Sequence, residues 1–346
     1  MRAMVLDDIR GPLTVRDVPD PSPAADAVVV EVRATGLCRS DWHAWAGHDD
    51  VDLPHVPGHE FAGVVVEAGA EVRGWKAGDR VTTPFVIGCG RCAWCLGGDA
   101  QVCPDQQQPG FTYPGSFAER VVVPAADTNL VRIPDAVTFE AAAALGCRFA
   151  TAYRAVIARA RLRADEWITV VGAGGVGLSV VMIAKALGAR VIAIDRSSAA
   201  LETAARLGAD RVIAGDGRDV AAAVHEITDG GSHVSVDAVG SEQTCADAIL
   251  SLRRRGRHVQ IGLLPTAPGR SAAPLARVIA WELDFLGSHG MAAADYPGML
   301  ALIDEGRLRP QELIHRVVGL SEAALLLPRL DESGTAGMTM IDPRMP

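Results

Sequence analysis

The chain has 346 residues, which at roughly 100 to 200 residues per domain points to two domains and excludes a single small module. Lys and Arg total 33 against 42 Asp and Glu, a net charge of -9, so no basic surplus is available for a phosphate backbone and nucleic acid is not an expected partner. An apolar fraction of 49% supplies a sizeable core and excludes a disordered chain.

At the N-terminus Arg2, Asp7, Asp8 and Arg10 interrupt any apolar run, so a signal peptide is not expected and a cytoplasmic location is. Up to about residue 150, short Val-rich or alternating runs at 27–32, 62–67, 80–83 and 118–123 are separated by Gly and Pro clusters, the pattern of a mainly β domain. From Trp167 onward the pattern changes to strand, turn, helix. Strands are predicted at 167–171, 190–194, 211–213, 233–238, 257–262 and 284–288, with helices at 176–188, 197–207, 218–228, 242–254 and 271–281. This alternation specifies an α/β domain built on a doubly wound, six-stranded parallel sheet. A helix at 296–305 and strand-like pieces at 316–318 and 338–341 follow, and are expected to rejoin the first domain. The domain limits read from this are 1–149, 150–285 and a returning segment, 286–346. The uncharged run 168–184 contains four glycines and falls short of the ~20 residues a membrane-spanning helix requires, so no membrane association is expected.

Seven cysteines are present, four of them as Cys89, Cys92, Cys95 and Cys103 with spacing C-x2-C-x2-C-x7-C. One loop can thereby converge four thiolates on a tetrahedral zinc ion. An iron-sulfur cluster or a redox loop uses similar spacing, but Gly88, Gly90, Gly97 and Gly98 suit a loop wrapped around a closed zinc. Such an ion stabilises and does no chemistry. A second set is scattered: Cys38, His59 with Glu60, and Cys147. Singly, such residues are most often buried thiols or hydrogen-bonded imidazoles. Together, two thiolates and an imidazole provide a catalytic zinc with three ligands and an open fourth position that Glu60 could fill or vacate.

The dinucleotide fingerprint is Gly172-Ala173-Gly174-Gly175-Val176-Gly177, preceded by a strand and opening a helix, with Asp195 ending the next strand 18 residues after Gly177. The glycines permit a tight turn and close approach to a pyrophosphate, which the helix N-terminus stabilises. Asp195 is positioned to accept hydrogen bonds from both adenosine ribose hydroxyls and to repel a 2'-phosphate, favouring NAD over NADP. Arg196 beside it is the one residue that argues the other way.

With Cys38-Arg39-Ser40-Asp41-Trp42-His43, the spacing Gly58, His59, Glu60, Gly63, Gly69, Val72 and the four-cysteine loop in view, the chain resembles the zinc-dependent alcohol dehydrogenases of the medium-chain dehydrogenase/reductase family. The resemblance covers nearly all of the chain. It implies a GroES-like catalytic domain followed by a Rossmann domain, zinc and NAD as cofactors, and oxidation of a primary or secondary alcohol to an aldehyde or ketone. The runner-up readings are a polyol dehydrogenase and a non-catalytic nucleotide-binding relative.

By the same resemblance Ser40 takes the alcohol proton and His43 receives it. Arg39 contacts the pyrophosphate, Thr151 backs the nicotinamide, Val239, Ile261 and Gly262 join the cofactor site, and Phe85 and Trp42 line the substrate pocket. Phe85, Trp42 and Trp45 read equally well as core aromatics. Relatives pair the last strand of the nucleotide domain across subunits, so a homodimer or homotetramer is expected through the apolar region 278–286. Two departures stand out. Met338 lies where many relatives carry an arginine, which would leave Asp41 without its usual partner, and Arg148 follows Cys147 where relatives often have glycine.

Overall fold

The computed structural model describes residues 1–217, 219–264, 273–330 and 337–345. It divides into two compact units. One comprises Met1–Ala150 and the described chain from Gly290 onward, apart from Gly337; the other comprises Thr151–His289 and Gly337.

The first unit begins with an antiparallel pair, β1 (Arg2–Leu6) and β2 (Leu13–Asp17). The ten-residue β3 (Val28–Leu37) is its backbone, because a Val-rich strand that is buried over most of its length can pair along its whole extent. It pairs antiparallel with β4 (Phe61–Ala68), which continues to β5 (Arg80–Thr82). β6 (Arg120–Val123) pairs with the first half of β3, and the short β7 (Val131–Arg132) with β5. Val28, Val30, Val32, Phe61, Val65, Val81 and Ile87 interlock as a core beneath these strands.

In the second unit the parallel strands are β8 (Trp167–Val171), β9 (Arg190–Asp195), β10 (Arg211–Ala214), β11 (Ser232–Asp237), β12 (Leu252–Gln260) and β13 (Asp284–Gly287). Their order across the sheet is β10-β9-β8-β11-β12-β13, so the strand order reverses between β8 and β11. Ligands of open parallel sheets bind outside the carboxyl ends of the strands at such a reversal.

The chain then re-enters the first unit. β14 (Ile314–Val318) and β15 (Met338–Ile341) extend its sheet, β15 pairing with the second half of β3. Met338 is fully buried in β15.

Several expected boundaries shift. The helix expected at 242–254 ends at Leu250, because the chain is already in β12 at Leu252; β12 in turn stops at Gln260, leaving Ile261 and Gly262 in the turn beyond it. The helix expected at 271–281 is Leu275–Ala280, with residues 271 and 272 outside the described set, as is residue 218 at the start of the helix Val220–Thr228. β1, β2 and the helix Leu320–Leu326 had no counterpart in the periodicity. Among the described residues no helix is long and apolar enough to cross a membrane.

Candidate metal centres and nucleotide site

Cys38 follows β3 and is the N-cap of the helix Arg39–Trp45; Asp41, the third residue of that helix, accepts the Cys38 backbone N–H at 3.0 Å. The same carboxylate reaches the next segment, accepting the Gly58 N–H at 3.2 Å and the His59 Nδ1–H at 2.8 Å. Asp41 therefore has three donors within the site, none of them the arginine that many relatives carry. With Nδ1 committed, the His59 tautomer is set and Nε2 is left as the acceptor. His59 is fully buried and its Nε2 has no hydrogen-bond partner, a costly arrangement unless a cation takes the lone pair.

Cys147 arrives from a third segment, the π-helical turn Leu145–Phe149, a wider turn that recurs at functional sites and that sequence periodicity does not reveal. One ligand atom each from Cys38, His59, Glu60 and Cys147 lie within 4.8 Å of one another. Hydrogen bonding from the Cys147 thiol holds Cys38 well below the usual thiol range, helped by the charges of Arg148 and His59, while Cys147 is pushed well above it by the same bond and by burial. Burial disfavours a charged His59 ring, but Asp41 and the Cys38 sulfur outweigh it and raise its pKa. Two thiols, one of them already disposed to ionise, and an imidazole with a free buried nitrogen match the donor set of a catalytic zinc site.

Glu60 has a second engagement that the spacing did not disclose. Its Oε1 accepts the Arg148 backbone N–H at 2.9 Å and Nε at 3.0 Å, and Oε2 accepts Nε at 3.0 Å and the terminal guanidinium nitrogen. Burial raises the Glu60 pKa and Arg148 partly offsets this. The pair fits because Gly36 lies against it: a Cβ there would collide with Glu60 Oε2 and come within 2.9 Å of the Arg148 guanidinium.

Ser40 stands next to the first ligand, its Oγ 3.8 Å from Cys38 Sγ. His43 Nδ1 lies 2.9 Å from Nδ1 of His48, a partner absent from the sequence reading, and burial with the cations nearby lowers the His43 pKa. Arg39 is exposed, its guanidinium 5.0 Å from the Trp42 ring centroid. Trp42 and Trp45 pack on the core formed by Met4, Leu37, Phe117 and Leu320, as core aromatics do. Phe85 is buried with its ring edge-on to His59, and Phe111, which sequence reasoning missed, flanks His59 at 5.4 Å.

In the four-cysteine loop one ligand atom from each of Cys89, Cys92, Cys95 and Cys103 again fall within 4.8 Å of one another. The Cys89 N–H donates to Cys103 Sγ and the Cys95 N–H to Cys92 Sγ, both at 3.4 Å, contacts that favour thiolates. Backbone N–H groups of Arg91 and Cys92 lower Cys89 to about 7, whereas burial raises Cys95 to about 12. Asn129 anchors the loop from below, accepting the Gly88 N–H and donating to the Gly88 carbonyl, each at 2.9 Å. Cys245 lies instead in an apolar core with Ile249 and Leu252 and belongs to neither cluster of metal-ligating side chains among the described residues.

In the second unit the glycine turn follows β8 and leads into the helix Gly175–Ala186, with Gly174 as its N-cap. Gly172 has φ +94°, and a Cβ on Gly177 would run into the Gly172 carbonyl, so both positions require glycine. Asp195 accepts the Ala173 N–H at 2.7 Å and the Ser197 N–H at 2.8 Å, which ties the carboxylate to the turn, while Arg196 is exposed. Val239, Ile261 and Gly262 converge on one residue the sequence reading overlooked, the buried Asp237. Its carboxylate accepts the N–H groups of Val239 and Gly240 and the side chains of Thr244 and Gln260, and its carbonyl accepts Ile261 and Gly262. An acid at the end of an apolar strand was the available signal. Thr151 is buried, its carbonyl accepting the Ser288 hydroxyl at 3.3 Å.

A dinucleotide turn and a thiolate-imidazole metal site on separate units define a metal-dependent, nucleotide-linked oxidoreductase. The family described as alcohol dehydrogenase GroES-like domain matches residues 24–135, and that described as zinc-binding dehydrogenase matches 175–305. The chain is 34% identical to an NAD-dependent alcohol dehydrogenase of Sulfurisphaera tokodaii over 99% of this chain and 100% of that one. It is 32% identical to a sorbitol dehydrogenase of Halalkalibacterium halodurans over 90% of each. The solved alcohol dehydrogenase from Thermus sp. ATN1 superposes with a TM-score of 0.91 at 31% identity, over 99% of both chains. The chain belongs to the zinc-type alcohol dehydrogenases of the medium-chain dehydrogenase/reductase family.

Proposed function

We propose that the protein catalyses reversible hydride transfer between a primary or secondary alcohol and NAD, giving an aldehyde or ketone. The observation that carries this reading is His59, buried with Nδ1 held by Asp41 and Nε2 unpaired between two cysteines from other segments. When bound, zinc at that site supplies Lewis acidity that brings an alcohol's acidity toward neutral pH, and NAD supplies the hydride acceptor.

The chain's own residues do the rest. Cys38, His59 and Cys147 hold the ion with Asp41 orienting the imidazole, and Arg148 neutralises Glu60 beside it. Ser40 accepts the proton the alcohol loses, and His43 passes it outward with His48 as its neighbour at the exposed end. Asp195 binds the adenosine ribose hydroxyls and favours NAD over NADP. The four-cysteine loop holds a second zinc that is structural only. Retention of Cys147 as third ligand favours an alcohol over a polyol as substrate.

We also infer a cytoplasmic homodimer or homotetramer. β13 ends the order of the described sheet, and Phe285 within it and Ile279 in the preceding helix Leu275–Ala280 are 42% and 78% exposed, a surface suited to strand pairing with a second copy. A spectrophotometric scan of simple alcohols and polyols with NAD, run beside zinc analysis, tests the reading. Absence of turnover in protein carrying two zincs would remove the catalytic claim, and preference for sorbitol would replace its substrate class.

A further inference from the structure

The nucleotide-binding unit has a second polar feature at the amino ends of its strands, the opposite end from the glycine turn. A groove of about 340 Å³ is lined there by five arginines, one glutamate and one histidine in a chain whose net charge is -9. Arg257 is committed, pairing with Glu166 at 2.6 Å and donating to the Ala160 and Arg161 carbonyls, and Arg255 pairs outward with Glu282. The guanidiniums of Arg163, Arg253 and Arg254 have no carboxylate partner among the described residues, although the Arg163 backbone N–H donates to Glu166 at 2.9 Å; Arg254 lies over the Trp281 ring.

Two further observations show a local geometry departing from a plain strand. Between Ser232 and Val234 on β11, the paired residues on β12 advance from Leu252 to Arg257, so β12 carries a bulge made of its arginines. Arg255 sits within it at φ 60°, in the left-handed region that glycine adopts without strain. Strand alternation would send successive side chains to opposite faces, whereas the bulge lets Arg253, Arg254, Arg255 and Arg257 line one groove. His233 is the second sign. Its Nδ1 accepts the Trp167 N–H at 3.1 Å, so Nε2 of the neutral ring carries the hydrogen and faces the Arg253 guanidinium at 2.8 Å, donor against donor. Burial and Arg253 hold the His233 pKa below its ordinary value, so protonation does not resolve the conflict. Glu166, the one carboxylate in the lining, is already engaged by the Arg257 guanidinium and the Arg163 backbone N–H.

We propose that this groove binds a small polyphosphorylated anion, whose phosphoryl oxygens accept from the Arg163, Arg253 and Arg254 guanidiniums and from His233 Nε2–H. Multivalent phosphate matches several planar donors around one small volume better than a single carboxylate does. The site lies away from the carboxyl ends of the strands, where the dinucleotide turn sits, and is independent of the dehydrogenase reading.

The test is calorimetric titration of NADH-saturated enzyme with inorganic pyrophosphate at constant ionic strength, so that the glycine turn is already filled. One saturable site per chain is expected. The Arg253→Ala/Arg254→Ala double variant should bind at least about tenfold more weakly, with kcat and KM for alcohol and NAD unchanged. Arg163→Ala, in the loop before β8 and outside the bulge, is a second variant expected to weaken binding should the first fail to fold. No saturable binding to the wild type, the same heat from sodium chloride, or wild-type affinity in the folded variants would overturn the proposal.

Discussion

Replacing Arg148 by methionine removes the counter-ion of a carboxylate with no route to solvent. Glu60 is 0% exposed and Arg148 9%, and of the bonds Arg148 makes to the carboxylate only the one from its backbone N–H would survive. Breaking one side of a buried pair costs about 3–5 kcal/mol. The penalty has a pH signature whose sign follows from Glu60. Burial already raises its pKa and Arg148 restrains the rise, so the variant raises it further. A carboxylate with an elevated folded pKa destabilises above that value and ceases to once protonated in both states, so the loss should be larger near about pH 8 than near about pH 5. Urea unfolding of wild type, Arg148→Met, Glu60→Gln and the double variant, each stripped of zinc at this site so that no metal charge neutralises Glu60, measures this directly. The double variant should recover about 2–3 kcal/mol relative to the sum of the singles. A cost below about 1 kcal/mol for Arg148→Met, or one independent of pH, would show that the guanidinium is not what neutralises Glu60.

Elemental analysis should find two zincs per chain, and Cys95→Ser should lose one of them, lowering thermal stability more than turnover of the folded fraction. Asp41→Asn, which weakens the hold on His59 Nδ1, should reduce affinity for the other zinc by about 10- to 100-fold in a chelator competition. Ser40→Ala should lower kcat for alcohol oxidation by about 10²- to 10⁴-fold with little change in NAD affinity, and His43→Gln should do less and respond to added base; near-normal turnover in Ser40→Ala with zinc intact would reassign the proton route. Asp195→Ala should narrow the ratio of kcat/KM for NAD over NADP, and an unchanged ratio would remove the carboxylate from cofactor selection.

The second unit was legible because its strands are short apolar runs punctuated by turns, and a parallel sheet buries them on both faces. The first was less so. β1 and β2 mix charged and apolar residues, and pair only because the sequence between them turns back, which local periodicity does not encode. The ligands Cys38, His59 and Cys147 were recoverable from residue type and flanking motif, because metal chemistry narrows the choice of side chain. Their supports were not. Asp41 was seen as an acid missing an arginine, when its partners are backbone N–H groups and the ligand histidine itself. Arg148 and Glu60 lie 88 positions apart, and nothing local in either segment announces the pair. Asp237 likewise organises a turn through backbone donors that any residue could provide.

Gly36 constrains the order in which this site can change. The space that a methyl group would need there is filled by Glu60 and Arg148. Loss of the arginine is compatible with glycine at 36, but a larger residue at 36 is not compatible with the arginine still present. Substitutions here are therefore coupled across three positions: Glu60 is the nearer obstruction and Arg148 the second, so 36 can grow only after the whole ion pair has moved or shrunk, and a lineage that has enlarged 36 has closed the way back to that pair.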